Sequence, residues 1–369
     1  MGSSGARSGA RRLSLRARAG LLLVLAVTAA GCAEGQPEAK PTTVIPTATP
    51  TPEPLTLQTA EREFRSYVTN DDVARAAGDE RLALTWVADG QFPLTAAEFR
   101  KASFDGDPVR RYEYGAPKLW VPKLSKEIYP QWFVASVPRT VQGDPKSTRT
   151  ALMAFILRSP GDRWKLSMST VLAPKVKQPK VLLDAEGYAT ALGTTDASVL
   201  IRPREVPGIQ ATIASEGPGS VAAKVMKAGA VTTGYNLQLR KNKRRAKEKD
   251  QTHQTVFMAT SHPIFPLRTE HEGGLVLYSL LRNSVLSVNA EAKAKGYKPP
   301  IPPEAAHLLD GTVKGTDINM SETLQFAALD PPRLKNKDKE TDPADLPKAE
   351  VIAHDGALTK ASTPPPKNP

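Results

Sequence analysis

The chain has 369 residues, one cysteine, and 50 Lys and Arg against 38 Asp and Glu, for a net charge of +12. A lone thiol excludes an internal disulfide framework, and a chain of this length can bury one large or two ordinary apolar cores. Five arginines, Arg7, Arg11, Arg12, Arg16 and Arg18, stand in the first 31 residues without an acid, so removing that segment lowers +12 to +7. The remainder is moderately basic and is not a nucleic-acid clamp.

The arginines lead into an apolar run from Ala19 to Gly31. That run is too short to cross a bilayer, which takes roughly 20 apolar residues, and the pair of segments reads as a signal peptide over residues 1–31. Its end, Ala29-Ala30-Gly31-Cys32, resembles the lipobox of bacterial lipoproteins, although Ala29 stands where leucine is commoner. The resemblance implies a diacylglycerol on the Cys32 thiol, with acyl chains of the palmitate kind. It also implies cleavage before Cys32 and a mature chain held on the extracytoplasmic face of the cell membrane. Arg11-Arg12-Leu13-Ser14-Leu15 has the paired arginines of a twin-arginine export signal. Ser14 stands where that signal carries an aromatic, and general secretion accounts for the pair equally well.

Residues 32–55 are rich in Pro and Thr, as in "PTTVIPTATPTPEP", and form a semi-rigid spacer of about 3 Å per residue. Leu57, Ala60, Phe64, Tyr67 and Val68 lie on one helical face, with a break expected between Asn70 and Gly78. "DERLALTWVADG" predicts a second helix and "LTAAEFRKAS" a third. Beyond about Pro117 the pattern alternates in "KLWVPKL", "QWFVASVPRT", "RTALMAFILRS" and "RWKLSMSTVL", with hairpin chemistry at Pro160-Gly161-Asp162-Arg163. Helices followed by an antiparallel meander predict an α+β domain over residues 56–175, its helices packed on one face of a curved sheet.

Residues 176–207 read as a connection with a helical piece at "LLDAEGYATAL". A second α+β domain over 208–355 repeats the layout: a helical region from Ser220 to about Lys247, then strands near "QTVFMATS", "IFPLRTE", "GGLVLYSLLRNSVLSVNA" and "TLQFAALD". A last strand is expected at "AEVIAHDG" and a disordered tail over 356–369. The order running from "FRSYVTNDDVARAAGDERLALTWVADG" to "RWKLSMS" resembles the nuclear-transport-factor-2-like, or cystatin-like, α+β roll. With the lipobox and "PLRTEHEGGLVLYS", the chain is similar to an uncharacterised group of actinobacterial lipoproteins. The likeness implies location and fold, and it brings no activity.

Gly217-Pro218-Gly219-Ser220-Val221-Ala222 has the outline of a dinucleotide-binding turn, but no acid follows before Glu248 to hold a ribose, and a loop is expected. That acid-free window carries Arg240, Lys241, Lys243, Arg244, Arg245 and Lys247. These cations either form a solvated helix end or touch an anionic surface of lipid or wall polymer. Without interleaved aromatics they do not read as a nucleic-acid site. The histidines His253, His262, His271, His307 and His354 lack metal-ligand spacing, and no nucleophile motif is present. No cofactor, metal or catalytic residue is therefore assigned.

Trp86, Trp120, Trp132 and Trp164 all fall in the first α+β region and are expected to fill its core; an open roll would instead take a small apolar molecule. The leading function is a non-enzymatic lipoprotein that binds such a ligand or an envelope protein. The rivals are a pocket enzyme of the cyclase or isomerase type, and adhesion to anionic envelope surfaces through 240–247. An open cavity with a buried acid or histidine facing a second polar group favours the enzyme, and a plug of Trp and Leu opposes it.

Cys32→Ala is expected to move the protein out of the membrane fraction and abolish the mass added by acylation. Retention in that fraction, with a mass equal to wild type, refutes the lipobox.

Overall fold

The computed structural model describes residues 54–309, 311–334 and 346–365. The signal peptide, Cys32 and nearly all of the 32–55 linker lie outside the described residues. Pro50–Pro369 forms one compact unit.

Helix α1 runs Leu57–Ala77. The Thr56 hydroxyl accepts the Thr59 N–H at 3.0 Å to start it, and Gly78, at φ 64°, ends it by donating back to the last turn. The expected break between Asn70 and Gly78 does not occur: Asp71, Ala74 and Arg75 bury the second half of the helix and carry it through. Helix α2, Glu80–Thr85, starts on the Asp79 carboxylate, and α3 spans Gln91–Asp105. Five strands follow: β1 Tyr112–Tyr114, β2 Lys118–Trp120, β3 Gln131–Val141, β4 Asp144–Leu157 and β5 Lys165–Leu172.

The second half supplies α4 Val206–Glu216, α5 Thr233–Lys247, β6 Gln251–Ala259, β7 Phe265–Arg268, β8 Gly274–Val288, α6 Ala290–Ala294, β9 Asp317–Asp330 and β10 Glu350–Ser362. Three expectations are corrected here. The helical region from Ser220 is interrupted, with a single 3-10 turn at Val221–Lys224 before α5. "LLDAEGYATAL" forms no helix, because its backbone is drawn into isolated bridges such as Ala191 with Leu267. The tail expected from residue 356 is strand as far as Ser362, since β10 pairs along β9 down to Asn319.

The strands make one ten-stranded sheet in the order β1-β3-β4-β5-β10-β9-β8-β6, with β2 also on β3 and β7 also on β8. Read from either edge inward, the connections repeat: two short or edge strands share a long one, which leads through a second to the middle. The repeat extends to side chains. Phe133 and Phe155 are register partners on β3 and β4 and stack at 4.8 Å, and Tyr278 and Phe326 are register partners on β8 and β9 and stack at 5.7 Å. In the first half Phe64 and Tyr67 of α1 close over this pair; in the second half Ile213 and Ala214 of α4 join its cluster.

Two separate domains were expected, and the cores show instead two halves of one body. The opposite face of the sheet holds a single cluster drawn from both: Trp120, Val134 and Leu152 from one half, Leu275, Leu277 and Ile352 from the other. Val181 and Ala189 of the supposed connection are buried in that cluster, so residues 176–207 act as packing material between the halves. Each large apolar side chain so buried contributes about 1.5–3 kcal/mol relative to exposure, which neither half recovers if they part.

One buried acid ties this connection to the sheet. Asp330 ends β9 at 2% exposure, and its carboxylate accepts the Ile201 N–H at 3.1 and 3.3 Å. Gly273 is required beside it, because a Cβ there would stand 2.6 Å from the Asp330 carbonyl oxygen. Burial pushes the Asp330 carboxyl up to about 7, against the opposing pull of the Ile201 N–H and Arg333. The folded form thus keeps a proton that the unfolded chain has released, so the contribution of this group to stability is full below the unfolded value and is lost as pH rises from there towards 7. Asp330→Asn keeps the acceptor and removes the titration. Its unfolding free energy should match wild type near pH 4 and exceed it near pH 8 by about 2–4 kcal/mol, read from urea unfolding at the two pH values.

Candidate functional site

A cavity of about 510 Å³ lies between the helices and the sheet of the first half. Tyr67 and Arg75 of α1 and Leu94, Ala97 and Glu98 of α3 form one side, and Tyr112, Tyr114, Arg139, Met153 and Ser169 of the strands form the other. The second half completes it: Asp355 to Leu358 of β10 and Glu304 and His307 of a 3-10 turn also line it. None of the tryptophans lines it. Trp120 and Trp164 are buried in the cores on either side of the sheet, and Trp86 and Trp132 are partly buried against them. The apolar core is therefore filled as expected while the cavity stays open.

The polar walls form two linked ion networks. Arg75, its side chain 4% exposed, donates Nε to Asp71 Oδ2 at 2.7 Å, reaches Glu98 Oε2 with Nη1 at 2.9 Å, and donates to the Arg110 carbonyl at 2.9 Å. Asp71 and Arg75 are one helical turn apart on α1, so the helix itself sets their approach. Burial works against the charge on Arg75, and Glu98 and Asp71 overcome it, leaving the guanidinium more firmly protonated than usual. Across the cavity Arg139 reaches Asp355 Oδ2 at 3.3 Å and Ser169 Oγ at 3.4 Å. Both contacts are long beside the 2.7–2.9 Å typical of such bonds, so Arg139 retains donor capacity.

Tyr112 joins the two networks. The Arg75 and Arg139 guanidinium carbons lie 5.0 and 4.8 Å from its ring centre, within cation–π range, and its hydroxyl donates to Glu98 Oε1 at 3.3 Å. Burial is the main force raising the Tyr67, Tyr112 and Tyr114 hydroxyls above the ordinary phenol value, so all three are neutral donors at physiological pH. His307 at the rim is shifted down, first by its burial and then by Lys101, and is uncharged there.

The residues singled out from sequence are not brought together here. Arg240, Lys241, Lys243, Arg244, Arg245 and Lys247 occupy the last turns of α5, all exposed, and only Arg244 has an ion-pair partner among the described residues, Glu248 at 3.9 Å. Gly217 caps α4 at φ 87°, and a Cβ there would stand 2.5 Å from Asn236 Oδ1. The glycine-rich stretch thus serves the packing of α4 on α5. Among the described residues no group of three or more His, Cys, Asp or Glu could hold a metal ion, and no helix is long and apolar enough to cross a membrane. The site residues that sequence inspection missed, Arg75, Glu98, Tyr112, Arg139 and Asp355, come from five elements with no shared motif. The one local sign was the Asp71–Arg75 spacing within a helix that is otherwise apolar on that face.

The geometry defines an α+β protein with one open, mixed-polarity cavity built across two repeated halves. The chain belongs to the family described as a domain of unknown function, DUF8094, which matches residues 52–363. It is 26% identical over 222 residues to an uncharacterised lipoprotein of Streptomyces avermitilis, covering 59% of this chain and 63% of that one. It is 29% identical over 184 residues to an uncharacterised lipoprotein of Streptomyces coelicolor, covering 47% and 49% respectively. Kinship with actinobacterial lipoproteins is thereby supported, and the chain spans less than two thirds of the length of either relative. No solved structure matches it.

Removing Arg75 strands the Asp71 carboxylate in the interior. Arg75→Met should therefore cost about 3–5 kcal/mol in urea unfolding, while Arg75→Met with Asp71→Asn recovers most of that loss.

Proposed function

We propose that this protein is a lipoprotein held on the extracytoplasmic face of the membrane through Cys32, and that its cavity binds a small amphipathic molecule without transforming it. The lipoprotein names of both relatives support the anchor. Helices α1 to α3 over one face of β1 to β5, with a cavity between, favour the nuclear-transport-factor-2-like roll for each half.

The observation that carries the binding role is the state of the charges. Arg75 is matched by Asp71 and Glu98, Lys101 by Asp105, and Arg139 by Asp355. The open cavity, with Glu98 beside the Tyr112 hydroxyl and no plug of Trp, has the outline expected of the pocket enzyme; proton transfer further needs an acid or base that is free of a partner. Glu98 is the nearest candidate, and it is occupied by the Arg75 guanidinium and the Tyr112 hydroxyl. Paired charges present hydrogen-bonding edges whose charges largely offset one another, which suits recognition of a neutral or zwitterionic head. Leu94, Ala97, Met153, Leu166 and Leu358 supply a surface for an apolar body. The purely apolar ligand expected from sequence fits this lining less well.

Protein extracted from its own membrane in mild detergent should carry a bound small molecule in native mass spectrometry. Ala97→Trp, which fills the cavity from α3, should lose that adduct with the fold retained. Turnover of the extracted molecule, or equal adduct on the filled variant, contradicts a binding role for this cavity.

A further inference from the structure

We infer that the outer face of α5 is a second membrane contact, which lies on anionic lipid headgroups while the Cys32 anchor holds the chain to the same bilayer. The charge distribution points there first. Without residues 1–31 the chain carries +7, and Arg240, Lys241, Lys243, Arg244, Arg245 and Lys247 account for nearly all of it within eight consecutive positions. All six are exposed, and only Arg244 is paired among the described residues. Arg244, Arg245 and Lys247 in the last turn complement the helix dipole, but Arg240, Lys241 and Lys243 lie before it.

The second observation is apolar. Leu237 is 63% exposed, and Arg240, Lys241 and Arg244 follow it at three, four and seven residues, which places all four on one helical face. The opposite side of α5 is committed to the protein: Tyr235 stacks on Phe257 at 5.1 Å, Leu239 packs on the second-half core, and Ala246 is buried with Leu286. A basic face with an exposed apolar residue at one end is a composition that settles into a headgroup layer. Charge complementarity selects the anionic lipid of the membrane to which Cys32 is joined.

Acylation blocks Cys32, the only cysteine, so Leu237→Cys gives the full-length lipoprotein a single thiol for an environment-sensitive dye. The labelled protein is reconstituted into vesicles of phosphatidylcholine alone, or rich in phosphatidylglycerol, each with a quencher on the headgroups. Several-fold stronger quenching is expected in the anionic vesicles, falling to the phosphatidylcholine level in ~1 M NaCl, where the screening length is ~3 Å. Arg240→Ser, Lys241→Ser and Arg244→Ser together should abolish the difference, since each cation is worth about fivefold in surface partitioning. A dye at Lys146→Cys, exposed on β4, should show no lipid preference. Equal quenching in both vesicles, insensitivity to salt, or an environment change only with a soluble polyanion overturns the assignment. Flotation with vesicles reads the anchor separately, so failure of the anchor and failure of the α5 face are distinguished.

Discussion

The seam between β5 and β10 is short, and both halves depend on it. Only Ala353 with Leu172 and His354 with Val171 pair across it. Past those positions the strands diverge, and side chains take over the pairing: Gln325 accepts the Ser169 N–H through Oε1 at 2.9 Å, and its carbonyl accepts the Thr170 hydroxyl at 3.2 Å. The gap left beside β5 is occupied by the segment after α2, where Val87 bridges to Leu166 and Gly90 stands against Gln325 and Ser279. That insertion lays α3 across β10. The cavity exists because the sheet divides here without coming apart.

The same divergence explains why the cavity is polar. A pocket walled by one half would be lined by a sheet face that alternates simply between core and solvent. Here β10 continues past the seam and brings Asp355 to within 3.3 Å of Arg139, a residue more than 200 positions earlier. Asp355 is 43% exposed on its side chain, so the pair closes one side of the cavity with a charge contact that water still reaches. On the other side Arg75 and Asp71 are buried, each side chain 4% exposed, and Asp71, Glu98 and the Arg110 carbonyl hold the guanidinium. One wall is fixed, and the other is held by the contact between the halves.

The helices, the meander and the repeated layout were legible in the sequence because each depends on local periodicity: Phe64 and Tyr67 at helical spacing, Phe133 and Phe155 on alternating strands. The merging of the halves was not. It rests on residues such as Gln325, Asp330 and Ala353, whose partners lie across the chain, and nothing in their own neighbourhoods marks them. The connection misled for a related reason. "LLDAEGYATAL" carries helix-forming residues, but Val181, Ala189 and Leu192 are worth more buried against strands than a short exposed helix would return. The cavity stayed hidden because its charged residues look like ordinary surface charges until α1 and α3 fold over them.

The two halves share a layout and differ in what occupies the space beneath the helices. In the second half the Tyr278 hydroxyl bonds to Gln210 Oε1, Gln210 Nε2 donates to the Val231 carbonyl at 2.9 Å, and Arg282 is covered by Tyr235, Phe257 and Gln238 while it pairs with Glu322. Tyr278 and Gln210 are thus satisfied within the protein, while Arg282 Nε and Asn236 Oδ1 find no hydrogen-bond partner among the described residues, and the helices α4 and α5 sit close on the sheet. In the first half the Tyr67 and Tyr114 hydroxyls face the corresponding space without a protein hydrogen-bond partner among the described residues, and Arg139 has contacts as long as those of Arg282. Buried donors are normally satisfied, and the filled half shows that this fold can satisfy them internally. The open half leaves donors to spare beside an apolar wall, which is the arrangement of a site whose hydrogen bonds are completed by something other than the chain.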